Sequence, residues 1–150
     1  LREECETFLR TVLEKNPHMD VRALACLGLA ELLNGRWRRL DLIRARPDLT
    51  VRYEILLGKD CLEALQRQDR AQVAREAELL FERAAQEFGD VKIPYGGTVG
   101  EKAQAELYEM RYLAVGKQAP NIEGADQDGQ PLQLSDYRGK VVLLYFWQRF

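Results

Sequence analysis

Enzyme chemistry generally needs a nucleophile, a proton carrier or a cluster of metal ligands, and this chain offers few of each. Its cysteines are Cys5, Cys26 and Cys61, and His18 is its single histidine. The cysteines are widely spaced and odd in number, with no C-x-x-C among them, so they spell neither a disulfide framework nor a zinc site. They fall within helical patterns and read as small buried hydrophobes on helix faces. His18 follows Asn16-Pro17, which ends a helix. A general base needs a nucleophile or an orienting carboxylate beside it, and the sequence supplies none, so His18 reads as a surface or loop residue.

Three other stretches carry suggestive chemistry, and each has a plainer reading. "GRWRRLDLIRARP" holds Arg36, Arg38, Arg39, Arg44 and Arg46 against the single acid Asp41, with Trp37 interleaved. Such a patch fits an acidic or nucleic-acid surface, but its shortness favours a solvated helix-to-helix connection balanced by acids elsewhere. "YGGTVGEKA" suggests a phosphate loop. The required spacing fails, because Glu101 separates Gly100 from Lys102 and Ala103 follows in place of Ser or Thr; a glycine turn entering a capped helix is expected instead. "GADQDGQ" resembles a calcium loop only until its ends are checked. With Asp126, Asp128 and Gly129 at positions three, five and six, Gly124 would fill position one and Ser135 position twelve, and neither has a carboxylate. A hairpin turn is expected there. No motif calls for a cofactor or a metal.

The elements that would position these residues fall into two regions. Over 150 residues, 46% are hydrophobic and 31% charged, the ordinary balance of a soluble globular protein, and the net charge of −2 gives no reason to expect nucleic acid as a partner. No apolar run approaches the roughly 18–20 residues of a membrane span, and no signal peptide is legible, since "LREECETFLR" already has helical period.

Residues 1–115 are written in that period. Phe8, Leu9, Val12 and Leu13 form one stripe, ended by Asn16-Pro17. Asp20 is placed to cap the next helix, with Val21, Leu24, Ala25, Gly28 and Leu32 on one face. A third helix is expected within 52–67, carrying Tyr53, Leu56, Leu57, Cys61 and Leu65. A fourth turns Val73, Ala77, Leu80, Phe81 and Ala84 inward, with Gly89 past its end. A fifth opens on the capping box of Thr98 and Glu101 and closes before Gly116. The order suggests antiparallel hairpins or a small bundle. After Gly116 the period changes to two short extended runs, around Ile122 and Leu132–Leu134, joined by Asp128-Gly129. Pro131 restricts its run to a sheet edge. Val141–Trp147 then reads as a third, buried strand.

The segment "VGKQAPNIEGADQDGQPLQLSDYRGKVVLLYFW" resembles the opening of thioredoxin-like redoxins of the TlpA/ResA and AhpC/TSA kind. The matching pieces are Gly116-Lys117 before Ala119-Pro120, the turn ending at Gly129, "LSDYRGK" at 134–140 and "VVLLYFW". Upstream, "FGDVKIPYGGTVGEKAQAELYEMRYLAVGKQAP" resembles the helical extension that some of these redoxins carry. The resemblance implies a mainly α chain: a helical domain over 1–115 of about five helices, then, over 116–150, a β-hairpin and the first central strand of a thioredoxin-like α/β domain. In the family, Phe-Trp at the end of that strand leads through a variable pair and a second aromatic into C-x-x-C at a helix N-terminus, where thiolate is favoured and attacks disulfides. Phe146, Trp147 and Phe150 match those aromatics and flank the active site by resemblance. The first cysteine would follow Phe150, so the chain reads as cut short of its motif.

The resemblance thus implies a fragment of a thiol–disulfide oxidoreductase or thiol peroxidase, acting on thiol or disulfide protein substrates in a cell-envelope setting, with this chain inactive. Cys5, Cys26 and Cys61 match no redoxin motif and inherit no catalytic role. A second reading makes the helical region a protein–protein interaction module. "NPHMDVRALACLGLAELL" is similar to a HEAT-repeat helix at Asp20, Val21, Arg22, Ala25 and Leu29, and "AELLFERAAQEFGD" is similar to the second helix of a tetratricopeptide repeat, although neither recurs at a fixed period. The apolar edge at Val141–Phe146 is expected to pack on the helices, swap between protomers or drive self-association.

Overall fold

The computed structural model describes residues 2–94 and 96–148. The packing divides into two compact units, Leu1–Met110 and Arg111–Phe150. The described residues are mainly helical, with six α-helices and a two-stranded antiparallel sheet near the C-terminus.

In the first unit, α1 (Arg2–Lys15) stops ahead of Pro17. The Asn16 side chain accepts a hydrogen bond from the His18 backbone N–H at 2.9 Å and turns the chain into α2 (Met19–Ala45). His18 is the N-cap of α2, and Asp20, expected to cap it, lies in the first turn, where its charge meets the positive end of the helix dipole. At 27 residues α2 is about 40 Å long. It runs through residues 35–45, expected to be a connection between helices. Gly35 alone does not break a helix, and the stop comes at Pro47, which opens a short 3₁₀ turn, Pro47–Leu49.

The next helical stretch is expected as one element and forms two, α3 (Thr50–Leu57) and α4 (Lys59–Gln66). Gly58, at φ +81°, adopts the left-handed conformation that ends the first. α5 (Arg70–Glu87) begins where the Asp69 carboxylate accepts from the backbone N–H groups of Ala71 and Gln72. α6 (Val99–Tyr108) opens on the expected capping box, with both hydrogen bonds between Thr98 and Glu101 in place. Its last turn widens to π geometry over Glu109–Leu113.

The main core joins α1, α2, α5 and α6 around Phe81, Leu29, Leu33, Val99 and Cys26. On α5 the expected inward residues Val73, Ala77, Phe81 and Ala84 are buried, and Leu80 packs against them. The buried face of α2 is wider than the expected one: Ala25 is buried and Leu32 packs on the core as expected, Ala23, Cys26, Leu27, Ala30 and Leu33 are buried as well, and Val21 and Leu24 reach solvent. The broadening follows from covering on two sides, because a helix packed against both α1 and α5 buries more than one stripe. Phe8 also points out, and Leu13 supplies the α1 contact. A satellite core of Leu40, Ile43, Leu62 and Leu65 holds α4 against the distal half of α2.

Two polar features fix the helices in register. Glu6 accepts from Arg10 and from Arg36, each at 2.7 Å, and Arg10 reaches Glu76 at 2.5 Å, so one network ties α1 to α2 and α5. At the other end, Gly100 donates its backbone N–H to the Gly89 carbonyl at 3.1 Å. A Cβ at Gly100 would lie 2.9 Å from both the Cα and the carbonyl oxygen of Gly89. Backbone cannot yield as a flexible side chain does, so α6 must separate from the end of α5 to admit even a methyl group.

In the second unit, β1 (Glu123–Ala125) pairs with β2 (Pro131–Gln133) in the register Glu123 with Gln133, Gly124 with Leu132 and Ala125 with Pro131. In a two-stranded sheet every strand is an edge, which is where Pro131 is tolerated. Val141–Trp147, expected as a third and buried strand, belongs to no sheet among the described residues and is largely exposed. Strand geometry is held by ladder bonds to a neighbour, and three-residue strands offer little edge for one.

Gly100→Ala is expected to destabilise the helical unit by about 1–3 kcal/mol, read as a lower urea midpoint at unchanged slope. Acid should act through Glu6. Burial pushes its carboxyl up, but the hydrogen bonds and charges of Arg10 and Arg36 outweigh this and hold it below its ordinary 4.5. A depressed carboxyl adds stability above its unfolded pKa, and that stability is lost as pH falls through the folded value. The unfolding midpoint should therefore drop as pH falls below 4.5, and Glu6→Gln should flatten that limb.

Candidate functional site

The chemistry-bearing segment expected from the sequence lies in the second unit, where the chain's own hydrogen bonds shape it. The turn between β1 and β2 is built on Asp126. Its backbone carbonyl accepts from Gly129 N–H at 3.0 Å, and its carboxylate accepts from the N–H groups of Asp128 and Gln130 at 2.9 and 2.8 Å. Gly129 sits at φ +76°, which such a turn demands of its last residue. Both carboxylate bonds fall on Asp126 Oδ1, which fixes the turn as the hairpin connection expected from the sequence. Among the described residues no group of three His, Cys, Asp or Glu side chains is arranged to hold a metal ion.

Beyond the ladder, Leu134 N–H donates to the Ile122 carbonyl at 2.9 Å, and the Asn121 side chain accepts from Ser135 N–H at 2.9 Å. Asn121 also donates to Glu123 at 2.9 Å. This amide therefore holds the start of the hairpin against the 3₁₀ turn Leu134–Tyr137 that closes it. No sequence signal marks this role beyond an Asn placed before a strand. Lys140 follows, its ammonium 5.5 Å from the centre of the Tyr137 ring.

From Val141 the side chains alternate. Val142 and Leu144 are half-buried and, with Ile122, Leu132, Leu134 and Tyr137, enclose an entirely apolar pocket of 180 Å³. Val141, Leu143 and Tyr145 face outward, Leu143 at 91% exposure. This is the period-two pattern of a strand with one face on a core, formed without a ladder partner. Phe146 and Trp147, the aromatics placed beside an active site by resemblance, are 83% and 76% exposed. Phe150 lies outside the described residues.

The remaining candidates lie in the helical unit and do not assemble into a site there. Cys26 is fully buried on α2 with its thiol directed at the Leu80 carbonyl at 3.5 Å. Burial pushes it up to about 11, with Arg83 pulling slightly down and Glu87 adding to the rise. Cys5 and Cys61 are exposed, which corrects their reading as buried hydrophobes. Both lie on outward helix faces, and neither is joined to a second thiol. Three arginines of the stretch meet acids outside it, Arg36 with Glu6, Arg38 with Glu109 at 2.8 Å and Arg46 with Asp48, and its own acid Asp41 pairs with Arg70. It is a helix surface in an ion-pair network rather than an open basic patch. No helix among the described residues is long and apolar enough to cross a membrane.

The second unit thus consists of an opening loop, a hairpin closed by an Asx turn, an "LSDYRGK" corner and a run of alternating apolar residues ending in Phe-Trp. Comparison with known families agrees: residues 115–150 match the sequence model described as the AhpC/TSA family, which gives this segment its relationship to the thioredoxin-like redoxins. No curated protein and no solved structure matches the chain.

Thiol titration of the native chain with a disulfide reagent should modify Cys5 and Cys61 rapidly and Cys26 only on unfolding. Reaction of Cys26 at the rate of the exposed thiols would show that the core around α2 is open.

Proposed function

We propose that the chain contributes to a redoxin that exchanges thiols and disulfides or reduces peroxides, with residues 116–150 forming the opening of the catalytic domain and residues 1–115 a helical domain ahead of it. The family match over residues 115–150 carries this reading. The hairpin register and the alternation at 141–145 support it, since Val142 and Leu144 already turn toward the apolar face that a central strand would cover. In this reading Phe146, Trp147 and Phe150 flank the place where a low-pKa thiol at a helix N-terminus attacks its substrate, and that substrate is a protein or small molecule bearing a thiol, disulfide or peroxide.

Residues 1–150 do not themselves hold the exchanging pair. No C-x-x-C is present, Cys26 is buried with a raised pKa, and Cys5 and Cys61 stand on separate helices. Insulin reduction by this polypeptide should equal the thiol-only background, and activity abolished by alkylating Cys5 or Cys61 would overturn the assignment. The decisive test of family function is the reading frame after Phe150. C-x-x-C in the following few residues supports the redoxin proposal, and a stop codon there removes it.

A second reading makes the helical domain a binding module. It is supported by α3, in which no residue is buried and Val51, Ile55 and Leu56 all face solvent. A helix apolar on its outer face as well as its inner one is usually covered by something. Self-association through Val141–Phe146 belongs to the same class of proposal, because the outward row of Val141, Leu143 and Tyr145 has no cover within its own unit.

A further inference from the structure

The middle of α2 holds two adjacent residues that a packed helix does not favour. Asn34 is 4% exposed, and its Nδ2 donates to Glu106 Oε2 of α6 at 3.1 Å. Its Oδ1 is shut off from solvent and has no hydrogen-bond partner among the described residues, a costly state for an amide oxygen. Gly35 follows, and glycine inside a helix is less stable than alanine. Neither usual need for glycine applies to it. Its φ is not positive, and a Cβ would meet the far end of the Arg39 side chain at 3.6 Å, an ordinary contact. The pair also lies at a join. Leu33 is the last α2 residue buried in the main core, and Leu40 is the first in the satellite core.

Chemistry joins the two residues. The backbone nitrogen after an Asn can attack the side-chain amide carbon, and glycine permits this best because it has no side chain to crowd the approach. Asn34 is the one asparagine followed by glycine; Asn16 precedes Pro17 and Asn121 precedes Ile122. The native helix blocks the reaction. The Gly35 N–H is committed to the helical ladder, helical ψ keeps its nitrogen out of line with Asn34 Cγ, and Nδ2 is held by Glu106.

We propose that Asn34-Gly35 is a self-deamidation site, guarded by the helix and released when α2 opens between its two cores. On release the Gly35 nitrogen bonds to Asn34 Cγ and gives up its proton, the Cγ–Nδ2 bond breaks, and ammonia leaves a cyclic succinimide. Water then opens either carbonyl of the ring, giving aspartate or isoaspartate, with no oxidant or reductant involved. Neither product fits the native site. Aspartate sets a buried carboxylate against Glu106, whose carboxylate is already paired with Lys102 at 3.0 Å, and removes the Nδ2 donor. Isoaspartate adds a backbone atom to α2 and breaks the register of its ladder. A transient opening of the helical unit thereby becomes permanent.

The test incubates the full chain in mildly alkaline buffer, with and without urea. Mass spectrometry follows the tryptic peptide 23–36, in which Asn34 is the one side-chain amide. In urea that peptide should gain the mass of deamidation and split into aspartate and isoaspartate forms, while the peptides holding Asn16 and Asn121 change far less. Without urea the gain should persist at a rate lower by on the order of a hundredfold, as set by the rarity of openings within a packed core. Gly35→Ala should fold with an equal or higher urea midpoint and show little gain even when unfolded. Asn34→Asp, which mimics one product, should lower the midpoint or fail to fold. The proposal is overturned by equal rates with and without urea, by no gain at all without urea, by undiminished gain in Gly35→Ala, or by Asn34→Asp as stable as the native chain. A lower midpoint for Gly35→Ala would also overturn it, because packing would then account for the glycine.

Discussion

The helical unit depends on one constraint: α2 is covered along two sides at once. Small residues make this geometry available. Ala23, Cys26 and Ala30 are wholly buried on α2, and Ala77, Phe81 and Ala84 are wholly buried on α5, so a large ring is set among methyl-sized neighbours. Close packing of this kind interdigitates large with small and leaves little room for change at either position. On its other flank α2 carries α1, where a Cβ at Gly28 would touch Leu9 at 3.8 Å, an ordinary contact. That glycine is therefore tolerated rather than required. Gly100 differs, because what lies against it is backbone. The position of Cys26 follows from the same constraint: its thiol fills space in the α2–α5 seam, and the desolvation that stabilises the seam removes its nucleophilicity.

Much of this arrangement is legible in the sequence, and the failures share a cause. Local signals read best: Pro17 ends α1, Thr98 opens α6, and the turn ending at Gly129 sets the hairpin, whereas Asp20 falls inside the first turn of α2 and the Asp69 cap of α5 goes unread. The face of α2 misreads because apolar periodicity assumes one buried side. Residues 35–45 misread as a connection because their arginines look like a solvated link, whereas their partners Glu6 and Glu109 come from distant elements. Gly58 is a plain case in the other direction: its positive φ divides a helix whose side-chain pattern runs straight through. The exposure of Cys5 and Cys61 likewise depends on which helices cover which faces, and a single helix's pattern does not contain that information.

The C-terminal segment separates two properties that a strand usually shows together. Its side-chain alternation is present, with Val142 and Leu144 inward and Val141, Leu143 and Tyr145 outward. Its ladder is absent among the described residues. Alternation needs only an extended backbone and one apolar surface to lean on, which the hairpin and Tyr137 provide. A ladder needs another strand of comparable length, and β1 and β2 have three residues each. The match to a redoxin family therefore lies in a sequence pattern whose local consequences are visible and whose long-range pairing is not.

That separation bears on function. In a redoxin the central strand acts as a rigid rail, and the thiol at its end is reactive because a helix dipole and neighbouring charges are fixed relative to it. Phe146 and Trp147 have the residue types that such a site uses, yet at 83% and 76% exposure they are held by little of their own unit. An aromatic pair without fixed surroundings neither excludes water nor orients a thiolate. Pairing of the Val141–Phe146 strand would give it a ladder and bury its outward row of Val141, Leu143 and Tyr145.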